Sequence, residues 1–510
     1  MSDRLRTLSN LPPLPQTARA LLAAFPLVAL GALLYGAWNL GPWFDEFWSR
    51  YFADPSVDLR AAFETKWALD VHPPLFSFLA WGAGNLGLPR TLEAGRMLNL
   101  IPLFASAIFL VAFWRLNRKE GPFLATFLPA AVALVQFLAV FAEFRSYFAG
   151  FAAFIVLLVC LKRLDRQSEE PLDGQNRVFV WSGQVTSLFF CLNLHFVFAL
   201  LAIALVGTFA IGALVRGDRR LFVAHFLSGF ICCLPLAATT LLQWTYLSSI
   251  SKDFWLKTTP VAALGILMQS VLSPVAQSTI MSLAWLGALG LRVISRENNR
   301  ADDRYAAVLA ASLIAAAAII FAYTAVTGAL TGRYLIPVCM IVVAGMAAVT
   351  AKTVSIHALM RALFLLACMA AIVQTALEAA REPQWNEAAS FVAERQKACP
   401  GARIVPMRAT LQDGTANVEA NYTMAYAYLA DRWHMTVGPL DTMPVAPRDP
   451  ACPDYFWADN QFAGKRPEPV LQAELLRRFP QIDGCTIQTH IFRSDAAVFE
   501  VSGDPPRCKR

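Results

Sequence analysis

The chain has 510 residues, of which 57% are hydrophobic and 15% charged, with a mean hydropathy of +0.48. A soluble protein carries roughly a quarter charged residues, so a wholly water-solvated globule is excluded and most of the chain needs lipid as its solvent. The excess of 43 Lys and Arg over 36 Asp and Glu, a formal +7, sits in short clusters between apolar runs. That is not the basic stripe a nucleic-acid partner requires.

A membrane-crossing helix needs about 20 apolar residues. Such runs predict eleven spans, over residues 20–40, 93–114, 121–142, 147–161, 180–194, 196–215, 221–243, 277–292, 305–328, 334–351 and 358–378. The first run is long and lacks a small-residue cleavage site after it, so it reads as a retained helix. Lys and Arg mark cytoplasmic ends. Arg4, Arg6 and Arg19 precede the first span; Arg115, Arg118 and Lys119 follow the second; Lys162, Arg163 and Arg166 follow the fourth. Arg216, Arg219 and Arg220 follow the sixth, Arg292, Arg296, Arg300 and Arg304 the eighth, and Lys352 and Arg361 the tenth. The pattern predicts a multi-pass protein of the cytoplasmic membrane, N-terminus inside and C-terminus outside.

Pro74 to Leu88 is apolar but short, and a span there would invert every later loop. It reads as a helix in the outer interface, within a long first external loop over residues 41–92, and residues 261–277 read the same way. From about 381 to 510 hydropathy falls and the elements shorten. Helices are predicted over 385–398, 418–430 and 468–478, and strands over 402–407, 433–438, 485–493 and 496–501. The expected architecture is therefore a polytopic α-helical membrane domain, residues 1–380, followed by a soluble α/β domain, residues 381–510, on the outer side. Four of the ten cysteines, Cys399, Cys452, Cys485 and Cys508, fall in that domain. Their even number in an oxidising compartment predicts disulfides, with three pairings open. No Cys or His spacing suggests a metal. Asn421, Tyr422 and Thr423 have the spacing of a glycosylation sequon, which is discounted.

The first external loop opens Gly41, Pro42, Trp43, Phe44, Asp45, Glu46, Phe47, Trp48. Rings and cations suit the headgroup layer; two adjacent acids there are costly and suggest work. The outer side also collects Lys66, Asp70, His72, Arg96, Glu143, Arg145, His195, Lys252, Lys257 and Arg333, each within about a turn of a span end. Isolated charges at that depth are costly, so the set predicts a shared, water-filled cavity in which they pair. The bland readings are a helix N-terminal acid for Glu46, a pairing of Arg96 with Glu93 or Asp70, a helix-capping role for His72 and a satisfied turn histidine for His195.

Taken in order, these residues resemble the GT-C membrane glycosyltransferases, nearest to the branch of protein O-mannosyltransferases and aminoarabinose transferases. The resemblance is carried by Asp45 and Glu46 after the first span, Asp70-Val71-His72-Pro73-Pro74-Leu75, Arg96 at the head of the second span, Glu143-Phe144-Arg145-Ser146-Tyr147, Asn193-Leu194-His195-Phe196 and Gly332-Arg333-Tyr334-Leu335-Ile336-Pro337, over about residues 20–350. It implies a GT-C fold and a sugar donor linked to polyprenyl phosphate. The acceptor would be a lipid, glycan or protein of the envelope, with membrane lipids as the surroundings. Some members use a divalent metal such as Mg or Mn; a metal stays open here, and no obligatory one is predicted.

Such a donor already carries a phosphate leaving group, so the chemistry needs a base for the acceptor and cations for the departing charge. Asp45 is the expected base, with Glu46 orienting it or binding a metal or the acceptor, and Glu143 as a second acid. Arg145 and Arg333 are the expected phosphate holders, because guanidinium grips phosphate through two hydrogen bonds. Arg96, Lys66, Asp70, His72, Tyr147, His195 and Tyr334 complete the expected binding set. A transporter or flippase for a lipid-linked substrate is the alternative, and a polysaccharide polymerase or ligase a third reading.

Overall fold

The computed structural model describes residues 16–503 apart from 88–90, 251–257, 296–299, 380–384, 410–415, 444–448, 450, 460–461, 465 and 494. Arg4, Arg6, Lys252, Lys257, Arg296 and Cys508 lie outside the described residues. In chain order the helices begin α1 Gln16–Asn39, α2 Phe44–Phe52, α3 Leu59–Thr65, α4 Leu75–Asn85, α5 Leu92–Met97, α6 Leu100–Leu116, α7 Gly121–Val132, α8 Val135–Phe141 and α9 Tyr147–Asp165. They continue with α10 Gly174–Leu194, α11 Phe196–Val215, α12 Arg219–Ile250, α13 Pro260–Ala276, α14 Thr279–Ser295, α15 Arg300–Thr327, α16 Ile336–Ile356 and α17 Ala358–Ala379. The remainder is α18 Trp385–Ala398, β1 Ile404–Met407, α19 Ala416–Trp433, β2 Asp454–Ala458, α20 Glu468–Arg478, β3 Thr486–Ile491 and β4 Ala497–Ser502.

These elements form two compact units. One comprises Met1–Trp38 and Pro55–Ala379, the other Asn39–Asp54 and Ala380–Arg510. Residues 39–54, which chain order alone would put in the membrane domain's first loop, thus cluster with the C-terminal residues.

The first unit is a polytopic helical membrane unit. Among the described residues, eight helical stretches are long and apolar enough to cross a membrane, and ten with two bent pairs counted as one span each. The remaining expected span, 180–194, lies in α10, a 21-residue helix whose Arg177, Gln184 and Asn193 make it less apolar. α9 is apolar on every side and buried almost throughout, the mark of a helix surrounded by others. Small residues let its neighbours close in: a Cβ on Gly150 would meet Phe198 at 2.6 Å, and one on Gly183 of α10 would meet Phe109 at 2.3 Å.

The expected straight span 121–142 is broken. α7 and α8 meet at 64°, and α13 and α14 meet at 79°, and the expected interfacial helix 261–277 corresponds to α13, one limb of the second bent pair. Pro129 and Pro274 lie just before the two breaks, where a proline removes a helix donor and favours a kink. Gln277 supplies replacement bonds across both: its Nε2 donates to Ala133 O at 3.0 Å and its Oε1 accepts from Val135 N at 3.2 Å. Gln136 Nε2 adds a bond to Ser273 Oγ at 2.9 Å. Irregular backbone survives in such a setting only when its polar groups are satisfied in this way.

At the C-terminal end of α9 the cations read as topology markers are knitted to acids. Lys162, 2% exposed, donates to Glu120, 3% exposed, at 2.8 Å and to Asp302 at 2.6 Å. Arg166 bonds the other oxygen of Glu120 at 2.7 Å. Asp165 takes Arg216 at 2.7 Å and Arg304 at 2.9 Å, and Arg163 donates to Asn117 at 2.8 Å.

The second unit holds a four-stranded sheet ordered β1-β2-β4-β3, with β1 and β2 parallel and the other pairs antiparallel. A parallel pair needs a crossover, which α19 supplies. β1 and β2 are buried on both faces. Val405, Phe456 and Phe499 pack with Leu471 and Leu475 of α20. On the opposite face the Tyr426 hydroxyl of α19 donates to Met407 O at 2.8 Å. Cys399 and Cys452 form a disulfide, and Cys485 is disulfide-bonded as well. Asn421 is fully buried, so its sequon offers no accessible acceptor.

The expected strand 433–438 is not one. α19 ends at Trp433, His434 takes a left-handed φ of 52°, and the following residues contribute only isolated bonds to β1, such as Gly438 N to Ile404 O at 2.7 Å. The strand that pairs with β1 is Asp454–Ala458, which sequence reading missed.

Candidate active site

In the first unit, the N-terminal end of α9 gathers most of the expected residues. His195 fills the break between α10 and α11, extended at φ −159°, and acts as N-cap of α11: Val197 N–H donates to its Nδ1 at 3.2 Å. The proton of the neutral ring therefore sits on Nε2. Burial, and then the neighbouring His72 and Arg145, hold this imidazole well below its ordinary pKa. His195 is thus a neutral donor. Its ring lies 4.6 Å from Tyr334, 5.2 Å from His72 and 5.3 Å from Tyr147 between centroids.

The cations and acids surround this ring cluster. Arg145 stands over the Tyr147 ring at 5.7 Å. Arg333 pairs with Glu143 at 3.5 Å. His72 Nδ1 faces Asp70 Oδ1 at 3.3 Å. Lys66 is a buried C-cap of α3. Arg96 is fully buried and donates to Ala37 O of α1 at 3.0 Å, a bond that ties α1 to α5. Asn99 fixes the segment before α9 through bonds to Phe141 O at 2.9 Å and Glu143 O at 2.8 Å.

Gln243 is a residue that the sequence reading missed. Fully buried on α12, its Nε2 donates to Trp67 O at 2.8 Å, His72 O at 2.9 Å and Asp70 O at 3.3 Å, so one amide holds the whole turn carrying Asp70 and His72. A glutamine inside an apolar run was the available signal. Gln243→Met removes the donor that the three carbonyls share, at about 1–3 kcal/mol. Faster amide hydrogen exchange over residues 67–72 and a lower melting temperature in detergent are the expected results.

A cavity of about 760 Å³ in the same unit is lined largely by apolar side chains, Trp67, Pro73, Pro74, Phe78 and Phe189 among them, and Asn193 also lines it. Pro73 is next to His72 and Asn193 two residues from His195 in the chain, so this cavity lies close to the polar cluster. Among the described residues no three of His, Cys, Asp and Glu converge as ligands of a cation.

Asp45 and Glu46 belong to the second unit. Glu46 is turned inward and fully buried at the third position of α2, where its carboxylate accepts from Trp43 N–H at 3.2 Å. This is a capping interaction that also suits the helix dipole. Asp45, in the same first turn, is only half-buried. The two acids thus have different environments despite being neighbours.

No family model matches the chain, and no curated protein matches it. Two solved structures are similar. ArnT from Cupriavidus metallidurans bound to undecaprenyl phosphate is 14% identical, over 94% of this chain and 99% of that one, with a TM-score of 0.49. The apo state of the same protein is 12% identical, over 96% and 99%, with a TM-score of 0.49. Likenesses this distant leave the function of the present chain to its own residues.

Proposed function

We propose that this protein is an inverting glycosyltransferase that moves a sugar from a polyprenyl-phosphate donor to an envelope lipid, glycan or protein at the outer face of the cytoplasmic membrane. In this reading Asp45 takes the acceptor proton as the acceptor oxygen or nitrogen bonds to the anomeric carbon. The bond from that carbon to the phosphate oxygen breaks with inversion, and polyprenyl phosphate leaves with the electron pair. Arg145 and Arg333 meet the growing charge, with neutral His195 as a further donor. The isoprenoid chain occupies the apolar cavity near His72.

The observation that supports this most is the convergence of His72, Tyr147, His195 and Tyr334 with Arg145 and the Glu143–Arg333 pair near an apolar cavity. The bent helix pairs at 64° and 79° favour a second reading, a transporter of a lipid-linked substrate, because transporters build their sites from broken helices. One assay separates the two. Purified protein given a polyprenyl-phosphate donor with a labelled sugar is expected to release polyprenyl phosphate and label a cell-envelope extract. Movement of intact donor across a vesicle bilayer, with its sugar retained, would favour the transporter.

A further inference from the structure

α2 has nine residues, too few for a helix to hold together in water by itself, since helix nucleation is unfavourable and few bonds follow it. Its order comes from rings of the second unit. Phe44 stacks on Trp385 at 5.7 Å with planes 20° apart and meets Tyr422 at 4.8 Å. Phe47, fully buried, packs on Trp385 at 5.4 Å and on Tyr428 at 5.6 Å. The Tyr51 hydroxyl donates to Asn417 Oδ1 at 2.8 Å, and Arg50 lies over the Tyr428 ring at 5.2 Å. Phe44, Phe47 and Tyr51, three and four residues apart, make one face of the helix, and α18 and α19 provide the surface it meets. Asp45, one position beyond Phe44, is rotated about 100° from that residue around the axis. Whatever fixes the ring contacts therefore fixes the side of the helix from which Asp45 projects.

We propose that Trp385 and Tyr422, far from Asp45 in sequence, are positioning residues for it, so that the C-terminal residues serve the transfer reaction by orienting its base. The inference rests on Asp45 being that base. A misplacement of about 1 Å in a reacting group can cost about 100-fold in rate, which makes a docked helix worth retaining.

The test measures kcat and KM for the labelled donor, together with amide hydrogen exchange of residues 44–52. Trp385→Ala is expected to lower kcat by roughly 10–100-fold with donor KM within about twofold of wild type, and to speed exchange in α2. Trp385→Phe keeps a ring and is expected to recover most of the rate. Should Trp385→Ala not fold, Asn417→Ala removes the Tyr51 acceptor and is expected to move kcat and exchange in the same directions by a few-fold. Faster exchange with an unchanged kcat overturns the positioning role, as does unchanged exchange in α2. An active Asp45→Asn variant strikes instead at the base assignment, and the exchange data still report whether the rings order α2.

Discussion

Asp45→Asn is expected to lower kcat by about 10²–10⁴-fold, the range that a positioned general base contributes, while leaving the fold intact. The substitution preserves size and removes only the charge and basicity. Asp45 lies in the first turn of α2, so the helix loses a dipole interaction of roughly 0.3–1 kcal/mol, too little to unfold either unit. Glu46 gives the contrast. Its carboxylate accepts from the Trp43 N–H, so Glu46→Ala is expected to act through the helix cap, at about 1 kcal/mol, with a smaller loss of turnover. Steady-state rates with labelled donor, set beside thermal melts of both variants, distinguish a base from a cap. Wild-type turnover by Asp45→Asn would remove it from the mechanism.

The largest expected loss of stability follows Lys162→Met. The Lys162 ammonium is buried between Glu120 and Asp302 and also stands 4.9 Å from the Phe123 ring. Removing it leaves two carboxylates at a buried site with Arg166 as their shared partner, at 2.7 Å and 3.5 Å. Breaking a buried pair from one side costs about 3–5 kcal/mol, so the melting temperature in detergent should fall by several degrees. Adding Glu120→Gln to Lys162→Met should recover part of the loss, because the two sites are directly coupled. The network lies toward the opposite end of α9 from Arg145 and Tyr147, with Lys162 about 22 Å along the axis from Tyr147. Turnover per folded molecule is therefore expected to change little, which separates this effect from that of Asp45.

Long apolar runs made the membrane helices legible in the sequence, because backbone in lipid must satisfy its own hydrogen bonds and a helix does so over one continuous stretch. The bends were not legible. Pro129 and Pro274 gave a hint, but the stabilising partner, Gln277, is remote in sequence from Ala133 and Val135. Local alternation made residues 433–438 look like a strand, whereas the left-handed His434 follows from how α19 ends. β2 was missed because five residues buried on both faces do not alternate. Of the candidate site, residue types and order pointed to His72, Arg145, His195 and Arg333. Pairings that depend on tertiary approach, Arg96 with Ala37 and Gln243 with three carbonyls, left little trace in the chain. The acids that neutralise the cation clusters were not legible as partners, because Glu120, Asp165 and Asp302 meet their cations across different helices.

The second unit is discontinuous, drawing on residues 39–54 as well as the C-terminal residues. An engineer who transplants residues 385–503 onto another membrane scaffold would leave behind the short helix whose rings fill the gap against Trp385, Tyr422 and Tyr428. The exchangeable piece has to include both stretches, and a swap made at a single junction near Ala379 would expose an aromatic face and strand the acids with nothing to seat them.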